Sequence, residues 1–208
     1  ALRDDKEVVL AAVYKKGLNL EYASEKLRRD REVVLAAVKK SGSALQYASK
    51  ELRTDREFIL EAVNNRGSAL QYASEELKAD KEVVLAAVYK KGLNLKYASE
   101  KLRRDREVVL AAVKNGYSLK LISEALRDDK EVVLAAVYKK GLDLEYASEK
   151  LREDQEVVLT AITQNIKALK YASEELKNNP TKQGSLDLDE PNSLKMLKSA
   201  IKRHLKPF

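Results

Sequence analysis

Apolar and polar positions recur along this chain with a period of 25 residues. Seven copies of the pattern L-R-x-D-K/R-E-V-V-L-A-A-V-x-x-x-G-x-x-L-x-Y-A-S-x-x follow one another, and copy five is one residue shorter than the rest. The copies begin at Leu2, Leu27, Leu52, Leu77, Leu102, Leu126 and Leu151. Self-similarity at a short, fixed period is the sequence signature of a repeat array. We therefore expect one helical repeat array over residues 1–177.

The first half of each copy predicts an amphipathic helix of about ten residues. An aspartate in the fourth place is a short acceptor typical of a helix N-cap, and a glutamate two residues later complements the helix dipole. Apolar side chains then cover a wide arc, so the helix must contact neighbours on several sides. The glycine that follows in six copies predicts a left-handed residue at the helix C-terminus. The predicted N-caps are Asp5, Asp30, Asp55, Asp80, Asp105, Asp129 and Asp154.

The second half of each copy predicts another helix of similar length. Its apolar stripe in copy one is Leu20, Ala23, Ser24 and Leu27, spaced i, i+3, i+4, i+7. Ser43 and Ser68 are each followed three residues later by glutamine, which predicts capping boxes. The corresponding N-caps in copies one, four and six are Asn19, Asn94 and Asp143. Each copy is thus predicted to be an αα-hairpin.

One such hairpin buries too little to fold alone. Its large apolar side chains contribute about 1.5–3 kcal/mol each, whereas ordering the backbone costs about 1–2 kcal/mol per residue. Stacking gives each helix neighbours on both sides. We therefore expect an all-α fold, an α-solenoid of seven 25-residue helical hairpins with a C-terminal amphipathic helix.

The repeat pattern ends at Asn178-Asn179-Pro180, a helix-stop signal. Residues 178–192 are predicted to be a polar linker, and residues 193–208 a basic amphipathic helix. That helix either caps the end of the array or binds an acidic membrane surface or a partner. At the other end, residues 1–7 repeat residues 125–131, where one helix ends and the next begins. This match predicts that the chain is part of a longer protein.

Composition and motifs argue against catalysis. The chain has no cysteine, so disulfides, thiolate metal sites and cysteine nucleophiles are excluded. His204 has no histidine or cysteine partner, and Asp187, Asp189 and Glu190 lack the spacing of a calcium loop. The repeated Asp-Glu pairs are better explained as caps and salt bridges. We expect no enzymatic activity, no cofactor and no metal. Without a signal peptide or an apolar run of about 18 residues, a cytoplasmic protein is expected.

A tyrosine recurs near the end of six copies and forms what we call the tyrosine row. These side chains project away from the predicted apolar stripe, so they either pack between copies or form an aromatic strip for a partner. Copy five interrupts the row with Leu121. The tyrosine row consists of Tyr22, Tyr47, Tyr72, Tyr97, Tyr146 and Tyr171.

A second candidate contact is the segment that ends the first helix, the most variable stretch of the copy. Copies one, four and six carry the sequence Tyr-Lys-Lys there, and we call these segments the Tyr-Lys-Lys corners. They are either solvated charge or contacts for a partner. The corners are Tyr14-Lys15-Lys16, Tyr89-Lys90-Lys91 and Tyr138-Lys139-Lys140.

The net charge of +7 raises the question of nucleic acid. Residues 177–208 hold seven basic and three acidic residues and so carry +4 of that charge. Basic residues in the array alternate with glutamate, whereas nucleic-acid modules usually present a segregated basic face. We expect a non-enzymatic scaffold for protein–protein interaction, a monomer or weak oligomer. The alternatives are a module binding nucleic acid or an acidic surface through basic turn residues, and a purely structural spacer.

The motif D-x-E-V-V-L-x-A-V…G-x-x-L-x-Y-A-S-x-x-L resembles a tandem repeat family catalogued only as a domain of unknown function, with a unit of about fifty residues, or two copies. The resemblance covers Leu2 to Leu176 and implies no activity, cofactor or catalytic residue. Similar repeats occur in intracellular bacterial pathogens and unicellular algae. The resemblance therefore implies a possible secreted effector acting inside a host cell.

Overall fold

A computed structural model describes residues 2–174 and 176 of the chain. The fold is an all-α solenoid of tandem helical units, and the described residues contain no β-strand. The chain forms two compact units, of which the N-terminal unit ends at Tyr117 and the C-terminal unit begins at Ser118. The predicted linker at 178–192, the predicted helix at 193–208 and His204 lie outside the described residues.

The first half of each copy is the predicted α-helix. The predicted aspartate forms its N-cap in every copy, because the carboxylate accepts a hydrogen bond from a backbone N–H of the first turn, as Asp30 does from Val33 at 3.1 Å. The seven first helices are Lys6–Lys15, Arg31–Lys40, Arg56–Asn65, Lys81–Lys90, Arg106–Lys114, Lys130–Lys139 and Gln155–Gln164.

The second half of each copy is not the single α-helix that the sequence predicts. It consists of a 3₁₀ helix, a break with extended backbone, and a short helix that contains the leucine opening the next copy. The 3₁₀ helices are Gly17–Tyr22, Gly42–Tyr47, Gly67–Tyr72, Gly92–Tyr97, Leu119–Leu121, Gly141–Tyr146 and Ile166–Tyr171. The short helices are Leu2–Asp4, Leu27–Arg29, Lys50–Thr54, Glu75–Lys78, Glu100–Arg103, Glu124–Arg127 and Glu149–Arg152.

The break has a local and a tertiary cause. In copy one the buried residues Gly17, Leu20 and Ala23 are spaced by three, which matches the three residues per turn of a 3₁₀ helix. Ala23 is extended, with φ −67° and ψ 154°. This lets Ser24 donate its backbone N–H to the Arg3 carbonyl at 2.8 Å. The Ser24 hydroxyl accepts from the Leu27 N–H at 3.3 Å and so caps the short helix.

The same serine bond recurs in every copy except copy five and joins the two ends of the copy. A backbone N–H donates to a carbonyl 21 residues earlier, at 2.8–3.1 Å. Each bond fixes the break of one copy onto the short helix that precedes it. The pairs are Ser24 with Arg3, Ser49 with Arg28, Ser74 with Arg53, Ser99 with Lys78, Ser148 with Arg127, and Ser173 with Arg152.

Five of the six glycines at this repeat position do not end a helix in the left-handed conformation, contrary to the prediction, whereas Gly116 of copy five does. Only Gly116 has a positive φ, of 89°, among the described glycines. The others lie where a backbone or side chain of the next copy passes close by. A Cβ on Gly17 would lie less than 3.0 Å from the carbonyl oxygen of Ala37. Copy seven, which no further copy follows in the sequence, has Ile166 in this place.

The predicted caps of the second half are also wrong. Ser43 and Ser68 form no capping box, because the 3₁₀ helices of these copies have no side-chain cap and Gln46 donates to the Ser43 carbonyl. Asn19 and Asn94 instead donate their side-chain amides to first-helix carbonyls, the latter to Ala87 at 2.8 Å. The Ala12 and Ala87 carbonyls also accept the backbone N–H groups of Lys16 and Lys91, so each amide adds a second hydrogen bond to a carbonyl that is already paired.

Asp143, at the corresponding position in the C-terminal unit, accepts hydrogen bonds from two donors of the preceding copy. It is only 6% exposed, and its carboxylate accepts from the Leu119 N–H at 2.9 Å and from the Ser118 hydroxyl at 3.0 Å. Asp143 therefore caps the short 3₁₀ helix Leu119–Leu121 from the following copy. That helix is the one that belongs to the shortened copy five.

Ion pairs connect successive first helices on the surface of each unit. The cation that begins a first helix contacts the N-cap aspartate of the next helix and, in most cases, the glutamate two residues later. Lys81, for example, lies 3.0 Å from Asp105 and 2.8 Å from Glu107. The same arrangement holds for Lys6 with Asp30 and Glu32, Arg31 with Asp55, Arg56 with Asp80 and Glu82, and Lys130 with Asp154 and Glu156.

Candidate partner-binding surface

The tyrosine row lies at the C-terminal ends of the 3₁₀ helices. In the N-terminal unit these helices pack side by side in copies one to four, so their four tyrosines occupy equivalent places on adjacent elements. Tyr22 is 59% exposed, whereas the other five tyrosines of the row are half-buried. The row therefore combines partial packing between copies with a solvent-facing edge.

Neighbouring tyrosines of the row affect one another electrostatically. Burial raises the pKa of Tyr47, and the Glu21 carboxylate raises it further. The phenol groups of Tyr22 and Tyr72 act in the same direction to a smaller extent. These three tyrosines lie on 3₁₀ helices that pack against one another in order.

Lysines lie over several rings of the row. The ammonium group of Lys96 is 4.7 Å from the ring centre of Tyr97, and that of Lys170 is 4.4 Å from the ring of Tyr171. These distances fall in the range of cation–π contacts. The ring faces are thus partly covered by flexible cations, which a partner could displace.

The Tyr-Lys-Lys corners lie at the C-terminal ends of first helices, and all nine residues are exposed. Tyr14, Tyr89 and Tyr138 are 55–62% exposed. Leu93 and Leu142 add about 40% exposed apolar side chains next to two of the corners. The corners occur in copies one, four and six, so no two of them are in adjacent copies. They form separate small patches rather than one surface.

A groove that the sequence reasoning missed lies beside the tyrosine row in the N-terminal unit. It has a volume of about 460 Å³. One wall is the short helix Lys50–Thr54, and the other is the junction between the 3₁₀ helix Gly67–Tyr72 and the short helix Glu75–Lys78. The groove is lined by Lys50, Arg53, Thr54, Tyr72, Ala73, Ser74, Glu76 and Leu77.

The described residues offer no arrangement typical of metal-dependent catalysis. Residues 2–174 and 176 contain no group of three or more His, Asp or Glu side chains placed to hold a metal ion. Nor does this part of the chain have a helix long and apolar enough to cross a membrane. The surface features described above are aromatic and charged.

Comparison with known proteins gives one match. No curated protein and no solved structure matches the chain. The model of a protein family, the domain of unknown function DUF4116, matches residues 5–53, 55–103, 80–127 and 129–177. Each match spans two copies, as the predicted fifty-residue unit requires, and the overlap at 80–103 shows that copy four pairs with either neighbour. The chain belongs to the DUF4116 family.

Proposed function

We propose that the chain is a non-enzymatic scaffold for protein–protein interaction and that the tyrosine row is its contact surface. The observation that supports this most directly is the placement of Tyr22, Tyr47 and Tyr72 on packed 3₁₀ helices. A core residue would be fully buried, whereas each of these phenol groups keeps part of its surface in solvent.

The chemistry of the row suits protein recognition. Tyrosine brings a large contact area, a hydroxyl donor and acceptor, and little conformational entropy to lose, and it is enriched at interface hot spots. Packing between copies fixes these rings before a partner arrives, which lowers the ordering cost of binding. The proposed localisation is the cytoplasm, where such a scaffold would meet protein partners.

The test compares two triple variants that lose the same chemical groups. Tyr22→Ala/Tyr47→Ala/Tyr72→Ala removes the first three tyrosines of the row, and Tyr14→Ala/Tyr89→Ala/Tyr138→Ala removes the three tyrosines of the corners. Partners are captured from cell extract, quantified by mass spectrometry, purified, and titrated against each protein by calorimetry. Circular dichroism and urea unfolding check that both variants fold.

The proposal predicts that the row variant loses affinity and the corner variant does not. Hot-spot residues cost about 2 kcal/mol or more each when truncated, so the row variant should bind at least about a hundredfold more weakly. Equal affinity of the folded row variant and the wild type would remove the row as the contact surface. Loss confined to the corner variant would move the contact to the corners.

A further inference from the structure

One position of the repeat reverses its charge in a single copy. The residue after the capping serine is glutamate in six of the seven copies and lysine in copy two. That lysine, Lys50, begins the short helix that forms one wall of the groove. The six glutamates are Glu25, Glu75, Glu100, Glu124, Glu149 and Glu174.

The glutamate at this position neutralises a cation of its own short helix in other copies. Glu75 lies 2.8 Å from Lys78, and Glu149 lies 3.9 Å from Arg152. Lys78 and Arg152 are the second residues of copies four and seven, and Arg53 is the second residue of copy three. Because Lys50 replaces the glutamate, Arg53 lacks the carboxylate that Lys78 and Arg152 contact.

Arg53 and Lys50 consequently line the groove together with a single carboxylate, that of Glu76. Neither cation forms an ion pair within 4.0 Å of a carboxylate in the described part of the chain. The Arg53 Nε is buried and has no hydrogen-bond partner there, as is also true of the Nε atoms of Arg28 and Arg152, so this feature belongs to the repeat and only the missing glutamate is particular to Arg53. A guanidinium with an unpaired buried N–H is energetically unsatisfied, and an anion in the groove would relieve this state.

The other polar groups of the groove are already engaged. The Thr54 hydroxyl donates to the carbonyls of Lys50 and Glu51, at 3.1 and 3.0 Å. The Ser74 hydroxyl accepts from the Leu77 N–H at 3.4 Å. The backbone N–H of Glu76 and then the Ser74 hydroxyl lower the pKa of Glu76, with a smaller contribution from Lys50. The two cations therefore remain for a ligand.

We propose that this groove binds the carboxylate of an acidic side chain in a protein segment of the partner, between Lys50 and Arg53. The proposal rests on the scaffold function, since it takes the ligand to be a protein. The lining carries two positive charges and one negative charge, which matches a monoanion better than a doubly charged phosphate. Buried Ala73 and Leu77 and the ring of Tyr72 provide apolar surface for the methylene groups of a glutamate.

The experiment is an NMR titration of the full chain with a short capped peptide that has glutamate at its centre and leucine on either side. The signals followed are the Arg53 Nε–H and the backbone N–H groups from Tyr72 to Leu77. A peptide with glutamine in place of glutamate is the matched ligand control, and inorganic phosphate is titrated separately. Lys50→Glu restores the residue of the six other copies, so it is expected to fold.

We expect saturable shifts confined to the groove for the glutamate peptide. Lys50→Glu should weaken binding by about tenfold or more, because it removes one charged hydrogen-bond donor and adds a repulsive carboxylate. Lys39→Glu makes the same charge change on an exposed residue outside the groove and should bind as the wild type does. Adding Glu75→Lys to Lys50→Glu should restore binding one copy further along, with shifts near Tyr97.

Four outcomes would overturn the proposal. Equal affinity of Lys50→Glu and Lys39→Glu would show that Lys50 does not contribute. Equal affinity for the glutamate and glutamine peptides would exclude a carboxylate as the recognised group. Tighter binding of phosphate at the same signals would assign the groove to another class of ligand. A natural partner could bind the tyrosine-row variant more weakly than the wild type but bind Lys50→Glu as tightly as the wild type. This result would refute the groove proposal and would still support the scaffold function.

Discussion

Substitution of Gly92 by alanine should destabilise the N-terminal unit strongly. The added Cβ would lie less than 3.0 Å from the Ala112 carbonyl oxygen and 2.9 Å from both the Asn115 oxygen and the Tyr117 nitrogen. All three are backbone atoms of the next copy, so no side-chain rotation can make room. The backbones must separate, which also lengthens the 3.0 Å bond from the Gly92 N–H to the Asn115 carbonyl.

The size of the effect follows from three contributions. Overpacking costs about 1–3 kcal/mol, and the weakened hydrogen bond about 0.5–1.5 kcal/mol. Restricting the unfolded chain by replacing glycine recovers about 0.4–1 kcal/mol. The free energy of unfolding should therefore fall by about 2 kcal/mol. In a repeat array, this loss is concentrated at one interface between copies.

Gly116→Ala is the matched control. Gly116 has a φ of 89°, and an added Cβ would meet nothing within 4 Å. Only the backbone conformation opposes alanine there, at roughly 1–2 kcal/mol, and the unfolded-state effect again recovers part of it. Urea unfolding followed by circular dichroism measures both variants. A Gly92→Ala protein as stable as the wild type, or more stable than Gly116→Ala, would refute the close approach of the two backbones.

Other predictions concern the polar contacts. Asp143→Ala should lower the free energy of unfolding in urea by about 1–3 kcal/mol, because it leaves the buried Leu119 N–H without an acceptor. Asp143→Asn should retain most of the stability. Equal effects of the two substitutions would argue against that hydrogen bond. Asp80→Ala should lower the free energy of unfolding by about 1 kcal/mol through loss of the helix cap, and Asp80→Asn should lower it by less. An Asp80→Ala protein as stable as the wild type would contradict the capping role. Burial opposes ionisation, but the capped N–H groups and the cations together lower the pKa of five N-cap aspartates below 3.8. Their stabilisation should be complete above that pH and be lost as the pH falls through the lowered folded-state values; carboxyl NMR titration should give pKa values below 3.8, and ordinary values would contradict the ion pairs. These aspartates are Asp30, Asp55, Asp80, Asp105 and Asp154.

Local signals predicted the first helices correctly. A cap, a first-turn glutamate and a wide apolar arc all act within about ten residues, so they need no knowledge of the neighbours. Asp30, for example, caps its helix as its place in the pattern indicates. The sequence alone also identified the family unit, because two adjacent copies make one match.

Contacts between residues far apart in the sequence decided what local signals could not. The spacing of Leu20, Ala23 and Leu27 suits an α-helix as well as a 3₁₀ helix followed by a break. The bond from the Ser24 N–H to the Arg3 carbonyl, 21 residues away, selects the break. Gly17 likewise combines a familiar helix-end position with a close neighbour that the sequence does not reveal.

The groove was visible in the sequence only as a single break in the repetition. Lys50 stands where every other copy has glutamate, and comparison of the copies position by position finds it. Its significance depends on Arg53 and Tyr72 lying around one groove, which is a property of the folded arrangement. Departures from a repeat are therefore more informative about recognition than the consensus itself.

The central claim is that each copy is stable only through its neighbours. Urea unfolding of residues 2–51, 2–76 and 2–101, which hold two, three and four copies, tests it most directly. The account predicts a marginal or unfolded two-copy protein and a free energy of unfolding that rises by a similar increment with each added copy. A two-copy protein as stable as the four-copy protein would contradict the claim.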